Sequence, residues 1–273
     1  MPELPEVETT RRGVAPRLLG RRVVAVHVYD GRLRWPVPAA LARELPGQAF
    51  VGVDRRSKYL LLSTDRRRTL LLHLGMTGSL RAYAAPPARR RHDHVDIVLD
   101  DGSVVRYHDP RRFGSMLWLA GDPAAHPLLA SLGPEPLTAA FDAGYLYART
   151  RGKRASIKLA LMDSRVVVGV GNIYANEALF RAGIHPATPA GRVSRPRLAR
   201  LVASVQQVLE EAIASGGSTL RDYVDASGAV GAFQLTHRVY GRTGRPCLAC
   251  GTPIRGTRIG QRSTFHCPRC QRR

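Results

Sequence analysis

Short alternating runs of apolar and polar residues dominate the first half of the chain, and this period of two is typical of strands that bury one face. Residues 23–29 alternate well enough to predict a strand. Further strands are predicted at residues 50–53, 58–63, 69–74, 95–99, 103–107 and 115–119, and Asp100-Asp101-Gly102 supplies a hairpin turn between two of them. Many short strands separated by turn residues indicate an antiparallel β-sandwich or barrel.

Helical spacing replaces this alternation after residues 132–137, Leu-Gly-Pro-Glu-Pro-Leu, where two prolines and a glycine indicate a linker. The strongest helical stripe ends at Gly216-Gly217 and consists of Leu198, Leu201, Val202, Val205, Leu209, Ala212 and Ile213. Shorter helices are predicted at residues 141–150, 157–162 and 172–181, and another opens the chain, with Pro5 in its first turn and Gly20 after its end. The pattern predicts an α+β protein with a β domain at 1–133, a helical domain at 134–235 and a tail of short strands and turns at 236–273.

The charge of the chain narrows the class of partner. Its 273 residues contain 42 Lys and Arg against 21 Asp and Glu, a formal net charge of +21. Because the excess is spread along the chain and no basic amphipathic helix stands out, it favours nucleic acid over a membrane surface. No apolar run approaches the roughly 20 residues that span a bilayer, and no signal peptide opens the chain, so we expect a soluble, cytoplasmic protein.

The cysteines predict a metal site. All four lie in the last 27 residues, as two C-x2-C pairs separated by 16 residues: Cys247, Cys250, Cys267 and Cys270. This spacing fits a tetrahedral Zn²⁺ held by four thiolates, and a closed shell of four sulfurs makes the metal structural. His266 adjoins Cys267 but is better explained as a solvated or core histidine.

The first ten residues carry the candidate chemistry. Removal of Met1 makes Pro2 the N-terminus, and a terminal secondary amine can attack a sugar carbon to form a Schiff base. Glu3 lies beside it as an acid or base. On residue types alone, the acidic residues here are more simply explained as capping of a helix N-terminus. The chemistry requires that Met1 is removed.

Other candidate residues have both a functional and a plain interpretation. Gly169 and Gly171 precede a helix start at Asn172, where free backbone N–H groups can receive a phosphate, although such turns also serve backbone freedom alone. Lys58 and His73 lie near predicted strand ends, and taken alone they are a surface charge and a satisfied polar residue.

Three more residues suit an enzyme that flips a base out of DNA, because a flexible thioether, a planar guanidinium and an aromatic ring can fill the gap. They are Met76, Arg111 and Phe113. The plain interpretation is a core Met and Phe with a charged loop.

Resemblance to a known family decides among these interpretations. The opening Met-Pro-Glu-Leu-Pro-Glu-Val-Glu-Thr resembles that of the bacterial formamidopyrimidine-DNA glycosylases, which excise oxidised purines from DNA. Segments 73–78 (His-Leu-Gly-Met-Thr-Gly), 109–114 (Asp-Pro-Arg-Arg-Phe-Gly), 132–137, 169–177 and the cysteine tail are also similar, so the resemblance covers nearly the whole chain. It implies an antiparallel β-sandwich catalytic domain with a leading helix, a helix-two-turns-helix DNA-binding domain and a C-terminal zinc finger hairpin.

The resemblance also implies individual roles. Pro2 is the nucleophile, Glu3 protonates the sugar ring oxygen and Glu6 supports the active site. Lys58 and Arg262 bind phosphate and are counted with the catalytic residues. The remaining DNA-binding residues are His73, Asn172 and the void-filling Met76, Arg111 and Phe113. A lesion-recognition loop is expected within residues 218–234.

The implied activity is that of a bifunctional DNA glycosylase and abasic-site lyase, which excises 8-oxoguanine and formamidopyrimidines and then cuts the strand by β,δ-elimination. Its partner is damaged double-stranded DNA in the nucleoid, and we expect a monomer with one structural Zn²⁺ and no soluble cofactor. Two alternatives stay open. One is an endonuclease VIII-like enzyme for oxidised pyrimidines, whose relatives usually have Gly where Leu4 stands. The other is a non-catalytic zinc-containing DNA-binding protein that retains Met1.

Overall fold

The computed structural model of the chain describes residues 2–217 and 237–273. The described residues divide into two compact units. The first contains residues 2–130 with 215–217, and the second contains residues 131–214 with 237–273.

The first unit is a β-sandwich preceded by a helix. Its elements in chain order are α1 (Leu4–Leu18), β1 (Val23–Val28), α2 (Ala39–Glu44), β2 (Phe50–Arg56), β3 (Tyr59–Thr64), β4 (Arg68–His73), β5 (Ser79–Tyr83), β6 (Asp93–Leu99), β7 (Val104–His108), β8 (Ser115–Ala120) and α3 (Pro127–Ala130). One sheet has the strand order β1-β6-β7-β5 and the other β2-β3-β4-β8. Every pairing between these strands is antiparallel. The predicted antiparallel sandwich is confirmed.

Alternation builds the core of this unit. In β3, Leu60 and Leu62 are fully buried, while the alternating Tyr59, Leu61 and Ser63 are half-buried. Ile97 of β6 joins the same apolar cluster from the other sheet, and Val14 and Leu18 join it from α1. Each fully buried side chain of this size contributes about 1.5–3 kcal/mol relative to an exposed one.

Three elements of the first unit escaped the sequence prediction: β5, α2 and α3, the last of which has only four residues. Strand β5 pairs with β7, with Leu80 opposite Tyr107. Leu80 is its one large aliphatic residue, so Ser-Leu-Arg-Ala-Tyr alternates too weakly to be recognised. Helix α2 has only six residues and buries Leu41 alone, which is too short for a helical stripe.

A buried carboxylate fastens α1 to the sheet. Glu8 is 8% exposed, and its oxygens accept hydrogen bonds from Arg11 (2.8 and 3.0 Å), Arg12 (2.9 Å) and, in β2, Arg55 (3.2 Å). Burial raises the pKa of Glu8, but the hydrogen bonds and charges of these three arginines outweigh it and lower the pKa to about 2.

The second unit consists of helices followed by a hairpin. The helices are α4 (Ala143–Thr150), α5 (Ile157–Met162), α6 (Asn172–Arg181) and α7 (Arg195–Ala214), and the hairpin pairs β9 (Arg255–Ile259) with β10 (Arg262–His266). Asp142 and Ser156 begin α4 and α5 as N-caps, since their side chains accept from the backbone N–H groups of Tyr145 (2.6 Å) and Leu159 (3.3 Å). The predicted α7 stripe is buried except for the intermediate Ile213.

Buried polar side chains join the tail to α6. The Glu177 carboxylate is fully buried and accepts hydrogen bonds from the backbone N–H groups of Arg238, Val239 and Tyr240 at 2.8–3.0 Å. The side-chain oxygen of Asn176 accepts from the N–H of Phe265 at 2.8 Å. These bonds fix the cysteine-containing tail within its own unit.

Among the helices of residues 2–217 and 237–273, none combines the length and apolar character needed to cross a bilayer.

We predict that Glu8→Gln destabilises the protein by about 1–3 kcal/mol at pH 7, because it removes the charge from a buried acceptor that serves three arginines. The Glu8 pKa is lowered by folding, so its ionised form stabilises fully above its ordinary pKa of 4.5 and this stabilisation is lost as pH falls towards about 2. Urea unfolding at several pH values should show the difference between variant and parent shrinking over that range. Glu210→Gln, at an exposed position of α7, is the control; an equal loss in both variants would contradict the role of Glu8.

Candidate functional site

The N-terminal segment is held tightly from its first described residue. Pro2 is buried, and Glu3 and Glu6 are 3% and 0% exposed. Glu3 is the N-cap of α1, and its backbone N–H donates to Oε2 of Glu6 at 2.7 Å. Pro5 stands in the first turn, where its missing N–H costs nothing. Pro2, Glu3 and Glu6 are therefore brought together by one capped helix start.

Gly217 is a part of this region that the sequence prediction treated only as a helix end. A Cβ at position 217 would lie 3.2 Å from Cγ and 3.2 Å from Oε1 of Glu6, and its φ of +85° is in the region that favours glycine. A glycine at position 217 therefore lets the chain after α7 pass close to the Glu6 side chain without displacing it.

Lys58 and His73 lie at neighbouring strand ends of one sheet. Lys58 sits in the β2–β3 turn after Ser57, whose φ is +57°, and His73 is the last residue of β4. Burial lowers the pKa of His73 to about 4, and the positive charges of Lys58 and Arg34 contribute in the same direction. His73 is therefore neutral near pH 7. Its Nδ1 accepts the N–H of Gly75 at 2.9 Å, so the neutral ring carries its proton on Nε2 as a donor.

Met76, Arg111 and Phe113 are the residues predicted to fill the void, and the exposure of Met76 and Phe113 contradicts the plain interpretation of a core Met and Phe. Met76 is 36% and Phe113 48% exposed. The guanidinium carbon of Arg111 lies 4.7 Å from the centroid of the Phe113 ring, within the range of a cation–π contact. A Cβ at Gly75 would lie 2.4 Å from the Gly114 nitrogen, so the loop that carries Met76 touches the other loop backbone to backbone.

A cluster of cationic residues that the sequence prediction did not identify lines a cavity of about 370 Å³ in the first unit. Its lining residues are Tyr29, Asp30, Arg89, Arg90, Arg91, His92, Asp93, His94 and Arg112. The run of three arginines and a histidine was the available signal. Arg112 is partly neutralised by Asp30 at 2.7 Å, but cations still outnumber carboxylates, so the cavity favours an anion.

In the second unit, the side chain of Asn172 contacts the residue that follows Arg262. Asn172 opens α6 after Gly171, and its Nδ2 donates to the Ser263 carbonyl at 3.0 Å. Arg262 is exposed at the start of β10, directly before Ser263. Lys158, fully buried in α5, donates to the same carbonyl at 2.8 Å and to Oγ1 of Thr264 at 2.7 Å. A lysine inside the apolar run Ile-Lys-Leu-Ala-Leu-Met was a signal that the sequence prediction missed.

The four cysteines form the predicted metal centre. Their sulfur atoms all lie within 4.8 Å of one another, with Sγ–Sγ distances of 3.9 Å for Cys247–Cys270 and 3.5 Å for Cys250–Cys267. A zinc–sulfur bond of about 2.3 Å in a tetrahedron requires sulfurs about 3.8 Å apart, so the donor set fits Zn²⁺. His266 stands outside this set and packs its ring against that of His185, with centroids 4.4 Å apart.

The lesion-recognition loop expected within residues 218–234 lies outside the described residues.

Three family descriptions match successive parts of the chain. Residues 1–116 match the formamidopyrimidine-DNA glycosylase N-terminal domain, residues 132–224 match the formamidopyrimidine-DNA glycosylase H2TH domain, and residues 244–273 match a zinc finger found in FPG and IleRS. The formamidopyrimidine-DNA glycosylase of Methylococcus capsulatus is 57% identical over 272 residues, and that of Alkalilimnicola ehrlichii 59% identical over 280 residues. Both matches cover 100% of this chain and 100% of the relative.

Solved structures of similar proteins match this chain over nearly its whole length. The MutM (FPG) protein of Thermus thermophilus is 42% identical with a TM-score of 0.88, and the match covers 99% of this chain and 98% of that one. A Lactococcus lactis FPG mutant in complex with Fapy-dG containing DNA is 33% identical with a TM-score of 0.92 over 100% of both chains.

We predict that removing zinc unfolds the cysteine-containing tail but leaves the β-sandwich folded, because metal binding and folding of such a site are coupled. Both tryptophans, Trp35 and Trp118, belong to the first unit, so their fluorescence should stay unchanged on chelation while proteolysis cuts the tail. Metal analysis should find one zinc per chain, lost in Cys250→Ser and kept in the control His266→Asn. A tail that resists protease without metal would contradict the prediction.

Proposed function

Because the chain belongs to the formamidopyrimidine-DNA glycosylase family, we propose that it excises oxidised purines, 8-oxoguanine and formamidopyrimidines, from duplex DNA and then cleaves the abasic site. The observation that carries the chemistry is the arrangement of Pro2, Glu3 and Glu6 at the start of α1, where a buried carboxylate anchors the chain one residue from the proposed nucleophile.

Base excision begins at Pro2. Once Met1 is removed, the Pro2 nitrogen carries a lone pair that attacks C1′ of the damaged nucleotide. The bond between C1′ and the base breaks, and its electron pair leaves with the base. Glu3 delivers a proton to the sugar ring oxygen, the ring opens, and loss of the amine proton leaves a Schiff base between Pro2 and C1′.

Strand cleavage follows from the Schiff base, which acidifies the neighbouring C2′–H. Loss of that proton breaks the C3′–O bond in β-elimination, and a second elimination breaks the C5′–O bond. Lys58 and Arg262 bind the phosphates that depart, which stabilises the leaving groups. Arg262 is exposed and its neighbour Ser263 is fixed by Lys158 and Asn172, so its backbone is positioned in advance.

Met76, Arg111 and Phe113 take the place of the flipped nucleotide. A base must leave the stack before its sugar carbon can be attacked, and unstacking costs a few kcal/mol. Side chains that stack on or hydrogen-bond to the remaining bases offset this cost without requiring one sequence, and Met76 and Phe113 are exposed as this role needs.

Phosphate contacts hold the duplex. His73 offers a neutral Nε2–H donor, Asn172 stands at a helix N-terminus, and the arginine-lined cavity around His92 supplies concentrated positive charge. Damaged double-stranded DNA is the partner. We further propose that the protein acts as a monomer on nucleoid DNA in the cytoplasm, with one structural Zn²⁺ and no soluble cofactor.

We predict that borohydride added during reaction with an 8-oxoguanine duplex traps one covalent protein–DNA complex, because it reduces the Schiff base at Pro2. Intact mass must first establish that Met1 is absent. A control chain extended at the N-terminus keeps the Pro2 nitrogen in an amide and should bind DNA without forming the adduct. A folded, Met1-free preparation that forms no adduct would refute the mechanism, and trapping only with oxidised-pyrimidine duplexes would favour the endonuclease VIII-like alternative.

We predict that Arg262→Ala weakens DNA binding and lowers the slope of log affinity against log salt by about one, as expected for one lost phosphate contact. Binding should be measured by fluorescence anisotropy at several salt concentrations. Arg66→Ala, at an exposed position in the β3–β4 turn, is the control and should leave the slope unchanged. An unchanged slope in Arg262→Ala would remove this residue from the contact set.

A further inference from the structure

Asp109 is a fully buried carboxylate at the start of the loop that carries Arg111 and Phe113, beside the loop that carries Met76. Its Oδ1 accepts the Thr77 hydroxyl at 2.6 Å, and its Oδ2 accepts the backbone N–H of Gly114 at 2.8 Å. One oxygen therefore closes the loop to which Asp109 belongs, and the other joins that loop to the loop of Met76.

Thr77 completes the connection. Its Oγ1 accepts the backbone N–H of Arg111 at 3.2 Å, and the same N–H lies 3.3 Å from Oδ1 of Asp109. Thr77 is 9% exposed and directly follows Met76. Every polar group facing the Asp109 oxygens here is a donor, including the Tyr107 hydroxyl at 3.4 Å, which suits an acceptor-only carboxylate.

The two loops pack so closely that their backbones leave no room for a side chain at Gly75 or Gly114. A Cβ at Gly75 would lie 2.4 Å from the Phe113 carbonyl carbon, and one at Gly114 would lie 2.7 Å from the His73 carbonyl oxygen. The turn at 109–112 is closed by the Arg112 N–H donating to the Asp109 carbonyl at 3.3 Å, with Arg112 at a φ of +58°. A non-glycine residue in this conformation persists only where its surroundings hold it.

We propose that Asp109, acting with Thr77, is a positioning residue that holds the two loops as one rigid wedge, so that Met76, Arg111 and Phe113 enter the vacated base position together. This rests on the void-filling role in the proposed function. The physical reason is preorganisation: loops fixed before binding lose little further conformational freedom when the base is flipped.

The proposal is tested by separating base flipping from the later chemistry. Excision of 8-oxoguanine from a stable duplex requires a paired, stacked base to leave the helix, whereas cleavage of a preformed abasic site does not. Single-turnover rates should be measured on both substrates with Thr77→Val, which keeps the side-chain shape without the hydroxyl, Thr77→Ser, which keeps the hydroxyl, and Asp109→Asn.

We expect Thr77→Val and Asp109→Asn to slow excision by about tenfold or more, the factor for a lost hydrogen bond to a charged group, with abasic-site cleavage changed much less. Thr77→Ser should restore excision to near the parent rate. A purely structural role would lower both activities by the same factor, since it only reduces the folded fraction. Equal losses on the two substrates, or no difference between Val and Ser at position 77, would overturn the proposal.

The variants Met76→Ala and Arg111→Ala test the void-filling role separately from the positioning role of Asp109. If neither changes the ratio of excision to abasic-site cleavage, the void-filling role itself fails. If both lower that ratio while Thr77→Val and Asp109→Asn do not, void filling stands and the positioning role of Asp109 is wrong.

Discussion

The hydrogen bond from the Glu3 N–H to the buried carboxylate of Glu6 is the interaction on which the proposed chemistry depends. Chain termini are normally the least ordered part of a domain, and a nucleophile at a terminus must be held against that tendency. Here the chain is fixed at the third residue by a helix cap, and α1 is fixed in turn by its apolar face and by the arginines around Glu8. Gly217 lies against the Glu6 side chain. The position of Pro2 is therefore fixed through α1, which packs on the core of the sandwich.

Buried carboxylates fix three segments that carry or adjoin candidate functional residues. Glu6 binds the backbone at Glu3, Asp109 binds the loops that carry Met76, Arg111 and Phe113, and Glu177 binds the start of the cysteine-containing tail. Each of the three carboxylates accepts a hydrogen bond from at least one backbone N–H group. Hydrogen bonds to a carboxylate are stronger than those between neutral groups, and every residue except proline offers a backbone N–H. In a chain of net charge +21, these acids stand at points of attachment, while many arginines remain exposed for DNA.

The sequence predicted the elements whose signals are local. Alternation identified most strands, the apolar stripe identified α7, and the C-x2-C spacing identified the metal centre because each cysteine pair is itself a local feature. Two of these carboxylates, Asp109 and Glu177, were missed, since Asp109 meets Thr77 across 32 positions and Glu177 meets Val239 across 62, separations that no periodicity reveals. The void-filling residues could be assigned only through resemblance, because an apolar Met or Phe alone predicts burial. The catalytic and DNA-binding roles remain predictions.

The neutral His73 ring has a consequence for a cell under acid stress. Histidines of ordinary pKa gain a proton when the interior of a cell drifts from about pH 7.5 to about 6, and contacts that depend on their charge change strength. Burial lowers the pKa of His73 to about 4, so in the free protein the Nε2–H proposed as a donor to DNA keeps one protonation state across that drift. The proposed contact with the duplex at this position would therefore be insensitive to acidification of the cell.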